Sequence, residues 1–139
     1  MTRIIRTSTP GKERSQLSKA IVITVREFMR QTEVNEDMHD MVAFVILSLE
    51  KISNGIDKSV EAWEKRGYWI KADKYRIEWL WTGDLSKKLA QAYQFQDWKK
   101  IADLLAKVMS KFMTIKISDR HRIGKPWVDA SQKYQSELS

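Results

Sequence analysis

Apolar residues recur every three or four positions over most of this chain, which is the spacing of one face of an α-helix. The clearest run lies between Met38 and Trp63 and keeps its phase through Asn54 and Gly55. Its apolar positions are Met38, Met41, Val42, Val45, Leu49, Ile52, Ile56, Val60 and Trp63. The unbroken phase predicts one helix of roughly 30 residues. The alternative is a break at residues 53–55, with Asp57 capping a new helix.

Local signals mark both ends of this long helix. Asn35 precedes Glu36 and Asp37, which is typical of an N-cap followed by acidic residues at the positive end of the helix dipole. At the other end, the apolar pattern after Gly67 is out of phase with the pattern before it. Gly67 therefore suits the left-handed position just beyond a helix.

Three more helices and a short fifth one are predicted around the long one. The first runs from Pro10 to about Gln31, the third from Tyr68 to Gln94, and the fourth from an N-cap at Asp97 to Phe112. Residues 114–125 read as an extended connection. Pro126 is expected to open a short last helix, which has Trp127, Ala130, Tyr134 and Leu138 on one side.

Short connections between four long helices favour an all-α, up-down four-helix bundle. The predicted single domain covers residues 1–139, with an extended N-terminal arm at 1–9, the bundle at 10–113 and a C-terminal extension at 114–139.

The third helix has two apolar surfaces. The main one contains Tyr68, Ala72, Tyr75, Trp79, Gly83, Ser86, Ala90 and Tyr93, and its small residues would let another helix come close. Ile70, Ile77 and Trp81 lie nearly opposite. Either the first or the fourth helix covers these three residues, or they form an exposed patch that binds a partner.

Charge is unevenly distributed along the chain, whose net charge is +7. Residues 1–34 have seven Lys/Arg against three Asp/Glu, whereas residues 35–66 have four against seven. The oppositely charged segments could complement each other within the fold, or a basic face could meet an anionic partner.

If the partner is a nucleic acid, the candidate binding residues are Arg3, Arg6, Arg120, His121, Arg122 and Lys125. Aromatic and basic residues also alternate over 63–76, where amphipathic packing is the favoured explanation over base stacking.

Motifs for chemistry are few. Glu36 and His39 have the Glu-x-x-His spacing of di-metal bundles, but a second such pair is missing, so no metal and no cofactor are predicted. Neither a nucleophile turn nor a Gly-rich phosphate loop occurs.

The chain has no cysteine. It shows neither a signal-peptide pattern nor an apolar run long enough to span a membrane, so a cytoplasmic location and no membrane partner are expected.

Three function classes follow from these patterns. The favoured one is a non-enzymatic helical interaction or accessory subunit that binds a protein partner or forms a homo-oligomer. The alternative is a basic helical protein that contacts the backbone of RNA or DNA. An enzyme or cofactor-binding bundle without a recognisable motif is the third.

Overall fold

The computed structural model describes residues 10–138, and side chains from residue 11; the predicted arm at 1–9 lies outside this range. Residues 10–138 contain five helices: α1 (Pro10–Arg30), α2 (Glu36–Lys65), α3 (Trp69–Gln94), α4 (Trp98–Lys111) and α5 (Ala130–Leu138). The structure is 77% helix, about twice the usual share of globular proteins, and none of the described residues lies in a strand. The all-α prediction is therefore confirmed.

The long central helix is continuous. α2 contains 30 residues and runs through Asn54 and Gly55 without interruption, so the alternative break at 53–55 is wrong. Asn35 caps it, because its side-chain oxygen accepts a hydrogen bond from the Met38 amide at 3.0 Å. Ten apolar side chains of α2 are buried: Met38, Met41, Val42, Ala43, Val45, Ile46, Leu49, Ile52, Ile56 and Val60.

A tight turn joins α2 to α3. Gly67 has φ +81°, the left-handed conformation predicted for it. Its amide donates to the carbonyl of Glu64 at 3.0 Å, and the Tyr68 amide donates to the carbonyl of Trp63 at 2.9 Å. These two bonds satisfy carbonyls that the helix end would otherwise leave free. The turn returns the chain directly along α2.

Small residues bring α3 close to α2, as the sequence predicted. A Cβ placed on Gly83 would lie 2.9 Å from the Ser53 hydroxyl oxygen, which is too close for an ordinary contact. The Ser86 hydroxyl donates to the Ile46 carbonyl at 3.0 Å, so the polar group of Ser86 is satisfied although it is buried. The two longest helices are thus in close contact along their middle turns.

α4 is the shortest of the first four helices. Its N-cap is Asp97, whose side chain accepts from the Lys100 amide at 3.1 Å, as predicted. Ile101, Leu104, Leu105 and Val108 are buried on its inner side. Both α1 and α3 pack against α2 on one side and against α4 on the other. The fourteen residues of α4 cover only part of the 26-residue α3.

The C-terminal extension differs from the prediction in two respects. Residues 126–129 form turns, and α5 begins only at Ala130, because Asp129 has φ +64° and cannot belong to a right-handed helix. Trp127 and Tyr134 are buried, as the predicted apolar side requires, but Leu138 is 65% exposed. α5 packs on α2.

Candidate interaction surfaces

The outer side of α3 exposes a row of large apolar side chains. Ile70, Ile77 and Leu80 are 76%, 74% and 61% exposed, and Trp69 is 60% exposed. Separations of seven and three residues place Ile70, Ile77 and Leu80 on one side of the helix, with Trp69 at its edge. We call these four residues the α3 outer face. Single exposed apolar residues are common, but four large ones on one side of a helix, here with Asp73 and Lys74 between Ile70 and Ile77, are more typical of a binding surface.

The α3 outer face is uncovered because α4 ends too early. The ring of Phe112, just after α4, meets the Trp81 ring edge-on with 5.2 Å between centroids, and the Lys111 ammonium lies 5.9 Å from the same ring. Trp81 is therefore half-buried under the end of α4. The structure thus separates the three predicted partner-binding residues: Ile70 and Ile77 are exposed, whereas the fourth helix covers Trp81.

Two members of the α3 outer face, Trp69 and Leu80, were not among the predicted partner-binding residues. Leu80 lies three residues from Ile77, a separation that could have identified it. The period placed Trp79 on the main apolar surface and Trp81 on the opposite one, and Leu80 falls between the two, so it was assigned to neither. Trp69 begins the helix, where the period gives little information about direction.

A cavity of about 770 Å³ lies at the turn between α2 and α3, next to the α3 outer face. Trp63 and Tyr75 line it with their rings 4.8 Å apart, and the Lys71 ammonium lies 4.5 Å above the Trp63 ring. Tyr68 and Trp69 are the exposed aromatic residues of its wall. Cation–π contacts of this kind hold a lysine against a ring and reduce the ring surface open to a ligand.

Arg14 of α1 closes the other side of the same aromatic segment. Its guanidinium lies 5.1 Å from the Tyr75 ring centre and 5.0 Å from that of Trp79. Burial raises the pKa of the Tyr75 hydroxyl; Arg14 opposes this shift and Glu78 adds to it. The inward-facing rings of the 63–76 segment therefore contact cations of the same chain and stabilise the helix packing.

His39 has a structural partner. Its Nδ1 lies 2.8 Å from the Tyr93 hydroxyl, and its ring meets the Trp98 ring edge-on at 5.1 Å. Glu36, the other half of the Glu-x-x-His pair, is exposed in the first turn of α2. The pair is thus divided between a packed ring and a solvated carboxylate. Across residues 10–138, no group of three or more His, Cys, Asp or Glu side chains is arranged to hold a metal ion.

Asp40 connects α2 to the last helix. Its carboxylate accepts a hydrogen bond from the Ser131 amide at 2.9 Å, in the first turn of α5, where a negative charge is favourable. Tyr93 lies nearby, and burial, followed by the charge of Asp40 and the Tyr134 hydroxyl, raises its pKa. Asp40 therefore holds α5 in place, and we assign no catalytic role to it.

The connection between α4 and α5 carries the exposed cations named in the sequence. Arg120, His121, Arg122 and Lys125 are all exposed. The Arg120 amide donates to the Ser118 hydroxyl oxygen at 3.1 Å, and the Ile123 amide donates to His121 Nδ1 at 3.3 Å. These bonds shape the loop while leaving the Arg and Lys side chains pointing to solvent without an acidic partner among the described residues. Arg3 and Arg6 lie outside the described range.

Two further findings bear on the choice of function. Within the described chain, no helix has both the length and the apolar content that crossing a membrane requires. Comparisons with models of protein families, with curated proteins and with solved structures gave no match.

Proposed function

We propose that this protein is a non-enzymatic helical interaction subunit that associates with a second copy of itself through the α3 outer face. The observation that carries the proposal is the exposure of Ile70, Ile77 and Leu80 together on one side of a helix whose other sides are packed. A helix normally turns its apolar side to the core and its polar side to water. A partner that covers the α3 outer face would remove these apolar side chains from water.

The size of the surface supports a pair of such faces. Each of the four side chains exposes 60–76% of its area. Two α3 outer faces would together bury on the order of 1,000 Å² of apolar surface, near the lower limit of stable interfaces at about 1,200 Å². Neighbouring polar side chains would add to this area. The surface is therefore large enough for a modest, reversible dimer.

The charged residues beside the α3 outer face include both signs, which favours a second copy of this chain over a partner whose surface is uniformly acidic or uniformly basic. Lys74 and Asp84 are exposed, have no described ion-pair partner, and lie five residues to either side of Trp79. In an antiparallel pair of α3 helices centred at the level of Trp79, Lys74 of each copy is level with Asp84 of the other. In this register Ile77 lies near the centre, and Ile70 is covered by the methylene groups of Lys88 of the other copy rather than by a second Ile70. Opposite charges that meet through a two-fold axis set the register of an isologous interface.

We also infer an up-down arrangement of α1 to α4. Arg76 bonds to Glu64 at 2.8 Å near one end of the α2–α3 pair, and Tyr93 lies 2.8 Å from His39 near the other end, so these two helices run in opposite directions. The connections at 31–35, 66–68 and 95–97 are short, which favours antiparallel neighbours. This arrangement keeps α3 on the outside of the bundle.

Sedimentation velocity over a wide range of protein concentrations tests the proposed association. The wild-type protein should shift from monomer to dimer as concentration rises. Ile77→Asp should raise the dimer dissociation constant more than about tenfold, because a carboxylate would be desolvated at the centre of the interface. Its thermal midpoint as a monomer should stay unchanged, since the side chain is 74% exposed.

Met29→Asp is the control, because Met29 is an exposed apolar residue (48%) of α1, a helix that contributes nothing to the α3 outer face. It introduces the same charge and should leave the dissociation constant within about twofold of the wild-type value. A wild-type protein that stays monomeric at every concentration would refute the proposal. So would equal weakening by Ile77→Asp and Met29→Asp.

A further inference from the structure

The outer side of α1 presents a row of cations. Lys12, Lys19 and Arg26 are separated by seven residues each and therefore lie on one side of the helix, where all three are exposed. Fourteen residues of helix span about 21 Å. The exposed side of α1 thus carries regularly spaced positive charge along most of its length.

The two acidic residues of α1 do not neutralise Lys19 and Arg26. Glu13 forms an ion pair with Lys51 of α2 at 3.0 Å, and Glu27 forms one with Arg30 at 3.2 Å. Lys19 and Arg26 form no ion pair with any described residue. Positive charge therefore remains in excess on this side of the molecule.

The connection between α4 and α5 adds its cations beside α1. Ile115, at its start, lines a cavity together with Ser18 of α1. Pro126, at its end, lines a different cavity together with Leu17. Both ends of the connection therefore border the first half of α1, and Arg120, Arg122 and Lys125 lie in the ten residues between these ends. This tethering brings the three loop cations within reach of the same ligand as Lys19.

We propose that the surface formed by Lys19, Arg26, Arg120, Arg122 and Lys125 binds the phosphate backbone of double-stranded nucleic acid. We call it the basic surface. Duplex DNA carries about one negative charge per 1.7 Å of its axis, so Lys19 and Arg26, about 10 Å apart along α1, can meet several phosphates together with the loop cations. This binding site is separate from the α3 outer face and adds a second partner to the proposed function.

The chemistry of the basic surface favours a duplex over other anionic partners. Single-stranded nucleic acid is usually held by exposed aromatic rings that stack on its bases, but Trp127, the aromatic residue nearest the loop, is buried. Membrane surfaces are held by apolar side chains that insert between lipids. Ile117 and Ile123, the apolar residues of segment 116–125, are partly buried, and the exposed Met113 and Val128 stand singly outside this segment, one beyond each end. The interaction that the basic surface offers is contact between its Arg and Lys side chains and the phosphate backbone of a duplex.

Fluorescence anisotropy with labelled duplexes of about 20 base pairs and unrelated sequences tests the basic surface. Wild-type protein should bind all of them with similar affinity, and binding should weaken steeply as salt rises. The Arg120→Ala, Arg122→Ala, Lys125→Ala triple variant should bind about tenfold or more weakly. The slope of its affinity against salt on logarithmic axes should fall by roughly one for each phosphate contact that is lost.

The control is a Lys58→Ala, Lys87→Ala, Lys107→Ala triple variant, which loses the same charge from three exposed positions on three other helices. It should keep its affinity within about threefold of the wild-type value. Circular dichroism would show that both triple variants are folded. No duplex binding by the wild-type protein overturns the proposal, as does equal weakening in the two triple variants. Binding to vesicles containing an anionic lipid, without binding to duplexes, would assign the surface to membranes and also overturn it.

Discussion

A substitution of Trp81 tests how far α4 covers the outer side of α3. Its indole ring packs against the Phe112 ring at 5.2 Å and against the Trp79 ring at 6.2 Å, and the Lys111 ammonium lies 5.9 Å from it. Trp81→Ala removes all three contacts. It therefore weakens the attachment of the end of α4 to α3 without placing a charge in the core.

The size of the effect follows from these contacts. Truncation of a fully buried Phe or Trp costs about 3–5 kcal/mol of stability, and each well-oriented aromatic pair contributes about 0.5–1.5 kcal/mol beyond its buried area. Because Trp81 is only half-buried, part of the cost of transfer to water is already present in the folded state. We expect Trp81→Ala to lower the free energy of unfolding by about 2–4 kcal/mol.

Urea unfolding followed by far-ultraviolet circular dichroism measures this difference. The experiment should be run at a protein concentration low enough to keep every variant monomeric, because association would add to apparent stability. Ile77→Ala is the control: its side chain is 74% exposed, and its loss should change the free energy of unfolding by less than about 0.5 kcal/mol. Similar values for the two variants would show that α4 does not cover Trp81.

Two further predictions concern a backbone conformation and a buried hydroxyl. Gln96 has φ +50° in the turn after α3, so Gln96→Gly should raise the free energy of unfolding by about 1 kcal/mol, whereas Gln91→Gly, inside α3, should lower it by about 1 kcal/mol in the same urea assay. Burial raises the pKa of Tyr93, so its contribution to stability is present below the unfolded pKa of about 10 and is lost as pH rises through the folded value. Urea unfolding from pH 9 to 11 should therefore show a smaller loss of stability for Tyr93→Phe than for the wild-type protein.

The helices could be predicted from the sequence where signals of different kinds agreed. The phase of the apolar residues, the N-cap at Asn35 and the glycine at Gly67 all indicate the same bounds for α2, and the structure has them within two residues. The start of α5 was predicted wrongly because Pro126 is a helix-start signal by itself. The conformation that delays the helix belongs to Asp129, and no sequence pattern shows that an aspartate adopts a positive φ.

The candidate surface depended on information that periodicity does not contain. Ile70, Ile77 and Trp81 share one stripe, and the pattern therefore treats them alike. Whether each is covered depends on how far α4 extends along α3, which is set by the level at which the two helices pack. That level follows from contacts such as Trp81 with Phe112, between residues 31 positions apart in the chain. The sequence shows on which side of α3 these residues lie, but not which of them α4 covers.

The two proposed surfaces consist of different residues, and so they do not compete for the same side chains. α1 and α3 each pack against both α2 and α4, and α1 approaches the inner side of α3 through Arg14, which contacts Tyr75 and Trp79, but no residue of the α3 outer face belongs to the basic surface. Association through the α3 outer face would therefore leave the exposed side of α1 in each copy open to solvent. A dimer of this kind would present two basic surfaces facing outwards in different directions, suited to two separate duplex segments. Multivalent attachment of this sort raises apparent affinity only when both sites can be reached at once.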